Sequence, residues 1–365
     1  MDASNTPHPF IVQWFIDTRP LWPVPKQAKS KDEVQALKTV AAQELSLLSE
    51  AEQKSVLRYY HVRDAKTKLA SHLLKHFVIT KYGGVPWNES TISRGEKGKP
   101  FFTSPNLTSD SSSPTRLEFN VSHQAGLVSL IAAINFSSPV SVGTDIVNVS
   151  ERQALDDAYI DKSGLFSWID MHSDVFSASE LSEMKLKPVP VPNLPKNATL
   201  SGYGKDAISR CQWRGKILSV KAVGEDGEDS LVQVDSGVVV EAKRRRFYAF
   251  WCLREAYVKM TGEAFAAPWL KELDILGVDA PMPAAGSGES HKGGKGNVLT
   301  EGEVKRDFNI TFKERKVADV KMELSALGDE SMIAGAVKVP SGQSVEMGIW
   351  VELDLKDILE LAVID

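Results

Sequence analysis

Two charges four positions apart stand in an otherwise aromatic and aliphatic run: Glu255 and Lys259 in "FYAFWCLREAYVKMTGEAF" (247–265). At 100° per residue, Phe247, Phe250, Trp251, Leu253, Tyr257, Val258 and Met260 share one broad helical arc. Glu255 and Lys259 fall together beside that arc, about 6 Å apart along the axis, with the small Cys252 and Ala256 as neighbours. Alone, the pair reads either as a surface i,i+4 contact worth roughly 0.2–0.5 kcal/mol or as half of an active site. A third charge is harder to place. "SVGTDIV" sets Asp145 in a strand of apolar and small residues, where an unpaired carboxylate is costly to bury. A Lys or Arg partner would account for it, and so would a metal ion.

"NVSHQAG" (120–126) puts Ser122 and His123 where a strand turns. Adjacent strand residues point to opposite faces, which argues against a Ser–His nucleophilic pair and favours contacts to phosphate or sugar. "RGEKGKP" (94–100) offers Arg94, Lys97 and Lys99, with glycines that permit close backbone approach. It reads as a phosphate clamp or as a solvated basic loop. It is not a Walker loop, because Pro100 follows Lys99.

The elements that must position these residues follow from pattern and punctuation. "FIVQWFID" (10–17) reads as a strand, and 31–80 mainly as helix. "RLEFNVS", "GLVSLIAAI" and "VSVGTDIVNV" read as three consecutive strands of an antiparallel meander, the first half-buried by its alternation. Residues 185–245 read as an insertion, with "LVQVDSGVVV" as a small hairpin, and 277–300 as a mobile Gly/Ser/Pro-rich segment. "FNITFKE", "SMIAGAVKV" and "MGIWVELDL" return to strand. The class is α+β. A net charge of −5 over 365 residues gives no basic footprint for nucleic acid. No apolar run approaches the ~18 residues of a membrane span, and no leader pattern opens the chain. Two cysteines exclude a disulfide framework, so a cytoplasmic protein without membrane contact is expected.

Four features in order, "RDA" (63–65), "GKP" (98–100), "FNVSH" (119–123) with "VGTDIV" (142–147), and "FWCLREAYVKMTG" (250–262), make the chain resemble Sfp-type 4′-phosphopantetheinyl transferases. The resemblance covers about 50–265. It implies transfer of phosphopantetheine from coenzyme A to a serine of carrier proteins of polyketide, peptide, fatty acid and aminoadipate-reducing synthases, by a monomer. It implies that Arg63, Arg94, Lys97 and Lys99, within the segment that also holds Gly95, Glu96 and Gly98, neutralise the 3′-phosphate and pyrophosphate. Asn120, Val121, Ser122 and His123 would contact the nucleotide, with His123 reaching the 3′-phosphate region. Asp145 and Glu255 would hold Mg²⁺, and Lys259 would meet the bridging phosphates. Where many bacterial members carry a second strand acid, this chain has Val147, on the same strand face as Asp145. The implied fold is a pseudo-twofold pair of α+β halves, 1–139 and 140–365, with coenzyme A between them. A non-catalytic module binding coenzyme A or carrier protein, and a Mg²⁺-dependent coenzyme A pyrophosphate hydrolase, are the alternatives.

Overall fold

The computed structural model describes residues 8–95, 98–103, 116–136, 138, 140–191, 194, 198–263, 267–284, 299–340 and 345–364. Strand β1 (Phe10–Asp17) is followed by helices α1 (Ser30–Val40), α2 (Ala42–Ser46), α3 (Glu50–Leu57) and the long α4 (Val62–Gly83). Then come β2 (Ser93–Arg94), β3 (Pro100–Thr103), β4 (Arg116–Gln124), β5 (Leu127–Ile134) and β6 (Ser141–Asn148). Helices α5 (Gln153–Ser163), α6 (Leu165–Asp170) and α7 (Ala178–Leu186) lead to β7 (Thr199–Tyr203), α8 (Ala207–Arg210), β8 (Ile217–Val223) and β9 (Asp229–Asp235). Helix α9 (Ser236–Thr261) precedes β10 (Leu273–Leu276), β11 (Glu301–Lys305), β12 (Asn309–Phe312) and β13 (Arg315–Lys316). The chain closes with β14 (Val320–Leu327), β15 (Ser331–Lys338), β16 (Val351–Glu352) and α10 (Leu355–Ile364).

Two sheets carry the architecture: β16-β1-β5-β4-β3-β2 and β11-β14-β15-β6. They lie face to face, and each carries one long helix on its outer face. Strand β5 shows how the layers form, because it is buried along its whole length. Val128, Leu130, Ala132 and Ile134 pack into the α4 core, while Leu127, Ile131 and Ala133 turn the other way. There they meet Val142, Ile146, Ile333 and Val337 of the second sheet, whose opposite face packs under α9 through Val147, Ala334 and Ala336. A near-continuous apolar strand is what burial on two sides requires. The α+β class is therefore observed, with a helix-on-sheet unit in each half.

Several expectations need correction. The three-strand meander stops after two strands: β4 and β5 pair, but β6 pairs with β15 in the other sheet. Alternation shows that a segment is a strand and does not name its partner. Strand β4 is not half-buried, since Asn120 and Ser122 are both buried against β6. The basic loop is the tip of a β2–β3 hairpin, turned at Gly98 with φ +77°. The small hairpin of the insertion is β8–β9, and "SGVVV" starts α9, with the Asp235 side chain accepting from the Gly237 N–H as N-cap. The C-terminus does not stay with residues 140–365. Strand β16 pairs in parallel with the outer edge of β1, and Ile358 of α10 is buried in the α4 core. The polar run 109–115 and most of 277–300 lie outside the described residues.

One glycine sets how closely α9 lies on β6. A Cβ at Gly143 would stand 2.2 Å from the Ala256 carbonyl oxygen and 2.3 Å from the Met260 nitrogen, both backbone. Gly143→Ala should therefore push the helix off the strand, costing about 1–3 kcal/mol. Gly202→Ala, where a Cβ meets nothing within 4 Å, should stay within about 0.5 kcal/mol. Denaturant unfolding of both variants checks the pair.

Candidate active site

The close approach at Gly143 sets the last turns of α9 over the middle of β6. Cys252 fills the floor, its thiol donating to the Asp145 carbonyl oxygen at 3.5 Å. Burial first, then the Asp145 charge, holds that thiol far above its ordinary pKa, so it packs rather than reacts. Above it, Lys259 Nζ donates to Asp145 Oδ1 at 2.5 Å and to Ser122 Oγ at 2.7 Å. Ser122 Oγ in turn donates to Asp145 Oδ1 at 2.8 Å. The Glu255 carboxylate stands 4.0 Å from the same ammonium. Serine comes from the first sheet, aspartate from the second, and glutamate and lysine from the helix.

Two carboxylates thus share one positive charge. Burial, reinforced by Asp145 and opposed by Lys259, pushes Glu255 up to about 7. Burial also disfavours the charge on Lys259, but Asp145 and Glu255 outweigh it and raise its pKa. These groups line a cavity of about 490 Å³ that continues beside Trp168, Phe247 and Trp251 toward Met171 and Leu155 on its rim.

The neighbouring β4 residues hold the seam. Strand β6 is an edge strand, and its outward N–H groups are met by side chains of β4. Asn120 Oδ1 accepts from Thr144 N–H at 3.1 Å, and Gln124 Oε1 from Asn148 N–H at 3.2 Å. Asn120 and Ser122 therefore hold the seam, while Val121 packs toward α4. His123, which follows Ser122 on β4, lines the same cavity. Its imidazole pKa is lowered by desolvation and by Lys259, Lys68 and Lys75.

The remaining candidate cations are dispersed. Arg63 pairs with Glu151 at 3.2 Å and Asp64 at 3.6 Å. Arg94 donates to the Gly98 carbonyl at 2.8 Å within its own hairpin, which Gly95 closes through Gly98 N–H to Gly95 O. Lys99 Nζ donates to the Met260 carbonyl at 3.1 Å, at the C-terminal end of α9 where a cation is favoured. Glu96 and Lys97 lie outside the described residues. Val147 shares the α9-side face with Asp145 but is 3% exposed in the apolar core. Sequence reasoning missed the aromatic wall that Trp168 and Tyr159 add to the cavity, because their helices join the site only through tertiary packing.

Comparison with known proteins agrees with this geometry. The family profile "4′-phosphopantetheinyl transferase, N-terminal" matches residues 35–135. 4′-Phosphopantetheinyl transferase 1 of Fusarium mangiferae is 36% identical over 353 residues, 96% of this chain and 94% of the relative. A 4′-phosphopantetheinyl transferase of Aureobasidium melanogenum is 39% identical over 328 residues, 89% and 90%. The transferase NpgA of Emericella nidulans is 32% identical over 351 residues, 92% and 84%. The chain belongs to the 4′-phosphopantetheinyl transferase family.

Arg254, beside Glu255, anchors the helix from its other side. It is fully buried, donates to the Leu270 and Leu273 carbonyls at 2.9 Å, and pairs with the equally buried Glu180. Arg254→Met should cost about 3–5 kcal/mol, because it leaves Glu180 buried without a counter-charge. Adding Glu180→Gln should restore part of that loss. A double-mutant cycle by denaturant unfolding measures the coupling.

Proposed function

We propose that the chain transfers the 4′-phosphopantetheine of coenzyme A to a serine hydroxyl of an apo carrier protein and releases adenosine 3′,5′-bisphosphate. The observation that carries this reading is the meeting of Ser122, Asp145, Glu255 and Lys259 from three elements in one cavity. In the transfer, the serine oxygen forms a bond to the β-phosphorus as the bond from that phosphorus to the bridging oxygen breaks. Negative charge builds on the departing phosphate. Lys259, kept protonated by its two acids, can turn from Asp145 to meet it. Glu255, whose pKa is raised to about 7, can accept the proton of the incoming serine.

The donor set also fits Mg²⁺. Two acids with one ammonium between them are short of positive charge, and Mg²⁺ commonly takes one or two carboxylates and completes its shell with phosphate and water. Asp145 and Glu255 would hold it. Among the described residues no group of three His, Cys, Asp or Glu is placed around one point, so oxygens beyond these two acids would come from substrate and water. When bound, the ion would neutralise the pyrophosphate. The neighbouring Val147 would supply only an apolar wall.

We propose carriers of polyketide, peptide, fatty acid and aminoadipate-reducing synthases as the acceptors, served by a cytoplasmic monomer; a Schizosaccharomyces pombe relative named L-aminoadipate-semialdehyde dehydrogenase-phosphopantetheinyl transferase supports the last of these acceptors. Mass spectrometry of apo carrier domains after incubation with the chain, coenzyme A and Mg²⁺ should show one phosphopantetheine on a serine. Asp145→Asn and Glu255→Gln should each slow transfer roughly a hundredfold or more, and a chelator should abolish it. Lys259→Met should lower kcat more than it raises KM. Release of adenosine 3′,5′-bisphosphate without acceptor would identify a hydrolase instead. Binding of coenzyme A without turnover would identify a module.

A further inference from the structure

Two histidines on α4 face more acceptors than neutral rings have hydrogens. His72 and His76 stand one turn apart, both buried, and both meet the Glu52 carboxylate of α3. Glu52 Oε1 lies 3.1 Å from His76 Nε2 and 3.1 Å from His72 Nδ1. Its other oxygen accepts from the Ser49 hydroxyl at 2.8 Å and the Ser49 N–H at 3.1 Å, within the capping box of α3. The far nitrogen of each ring meets a serine. His76 Nδ1 is 2.7 Å from Ser90 Oγ, and His72 Nε2 is 3.1 Å from Ser55 Oγ. A serine hydroxyl has one hydrogen to donate. Ser90 gives its hydrogen to the Trp87 carbonyl at 2.5 Å, and Ser55 gives its own to the Glu52 carbonyl at 2.7 Å. Both serine oxygens can therefore only accept from the histidines. His76 thus has an acceptor at each nitrogen, serine on one side and carboxylate on the other, and needs a hydrogen on both.

We infer that Glu52, His72 and His76 form a proton-operated latch: one extra proton on His76 clamps α3 and the turn at Trp87–Ser90 onto α4, and the clamp is released as the pH rises. The proton sits on the imidazole rather than on the acid. Burial opposes the charge on Glu52, but the two histidines and Ser49 outweigh it and hold the carboxyl well below its usual range. His72 is different. With its hydrogen on Nε2, its Nδ1 faces Glu52 Oε1 as a bare lone pair, buried and without a hydrogen-bond partner among the described residues. Burial lowers the His72 pKa, opposed by Glu52 and aided by Lys75 and Lys68, so the ring stays neutral. The other charged groups around the cluster are Arg94 of β2, which acts on Lys75 and Lys68, and Glu44, buried on α2. Glu89 on the turn and Arg58 at the end of α3 are exposed. Among the described residues no group of three His, Cys, Asp or Glu is placed to hold a metal ion, so the cluster takes a proton. The clamped turn is where the chain leaves α4 for the β2–β3 hairpin. Trp87 Nε1 also donates to the Leu47 carbonyl at 2.9 Å, and Lys99 of the hairpin reaches the end of α9.

The test is the protonation state of both rings in the full chain, read by NMR of ¹⁵N-labelled histidine, with His76→Gln assigning the signals. At about pH 7.5 both His76 nitrogens should carry hydrogen, and His72 should carry it on Nε2 alone. Unfolded histidine is mostly neutral above about pH 6.5. The folded chain then holds one proton more, so stability falls as pH rises. Between about pH 7 and 8 the unfolding equilibrium constant should rise up to roughly tenfold more in the chain with His76 than in His76→Gln. Lys75 contributes the opposite slope, because burial, with Lys68 and Arg94, brings its pKa down to about 7 while its unfolded form keeps the proton. Both chains are therefore compared with Lys75→Met in place. A bare His76 nitrogen at this pH would overturn the inference, and so would equal slopes in the two chains. Ring states that change on adding a chelator would assign the site to a metal and overturn it as well. Should His76→Gln fail to fold, Glu52→Gln decides. Its amide can turn to donate, so His76 should then show one bare nitrogen, and hydrogen still on both would refute the latch.

Discussion

A carboxylate buried at the edge of a sheet must be neutralised, and the neutralisation of Asp145 organises the rest of the cleft. Its partners come from outside its own sheet: Ser122 from the opposing sheet and Lys259 from α9. The serine can reach it only because β4 lies along the free edge of β6, held by Asn120 and Gln124 on the exposed N–H groups. The lysine can reach it only because Gly143 lets the helix backbone rest on the strand. The same contacts that satisfy one acid therefore join the two sheets and set the position of α9.

The price of this arrangement is visible in the charges that remain poorly compensated. Glu255 is short of positive charge, and Lys75 is short of negative charge. Both deviate from what stability alone would select, since burial opposes the charged form of each. Elsewhere the buried ions are paired closely, as Arg254 with Glu180 and Arg246 with Asp279. Lys243 is an exception: it is also wholly buried, donates to the Lys185 carbonyl rather than to an acid, and has its pKa brought down to about 8 by burial.

Much of the site was legible in the sequence, because its residues break local rules. An acid inside an apolar strand and a Glu–Lys pair on the rim of a helical arc each demand a partner. Asp145, Glu255, Lys259 and Ser122 do meet, and His123 lines the same cavity. What was not legible depends on distant partners. Strand β6 carries the same alternation whichever sheet it joins. The return of β16 to the first sheet rests on a pairing more than three hundred residues away in sequence, and α10 follows it onto α4. The β-branched run Val238, Val239, Val240 reads as strand, and its N-cap at Asp235 and burial against the insertion make it helix.

The central claim is that the Lys259 ammonium stands where two acids await a substrate. A crystal structure of the chain with coenzyme A and Mg²⁺ tests it most directly. The account requires a cation shared by Asp145 and Glu255, and Lys259 turned from Asp145 onto the pyrophosphate. Coenzyme A bound with its pyrophosphate away from β6 and α9, or with Lys259 still locked between Asp145 and Ser122, would contradict it.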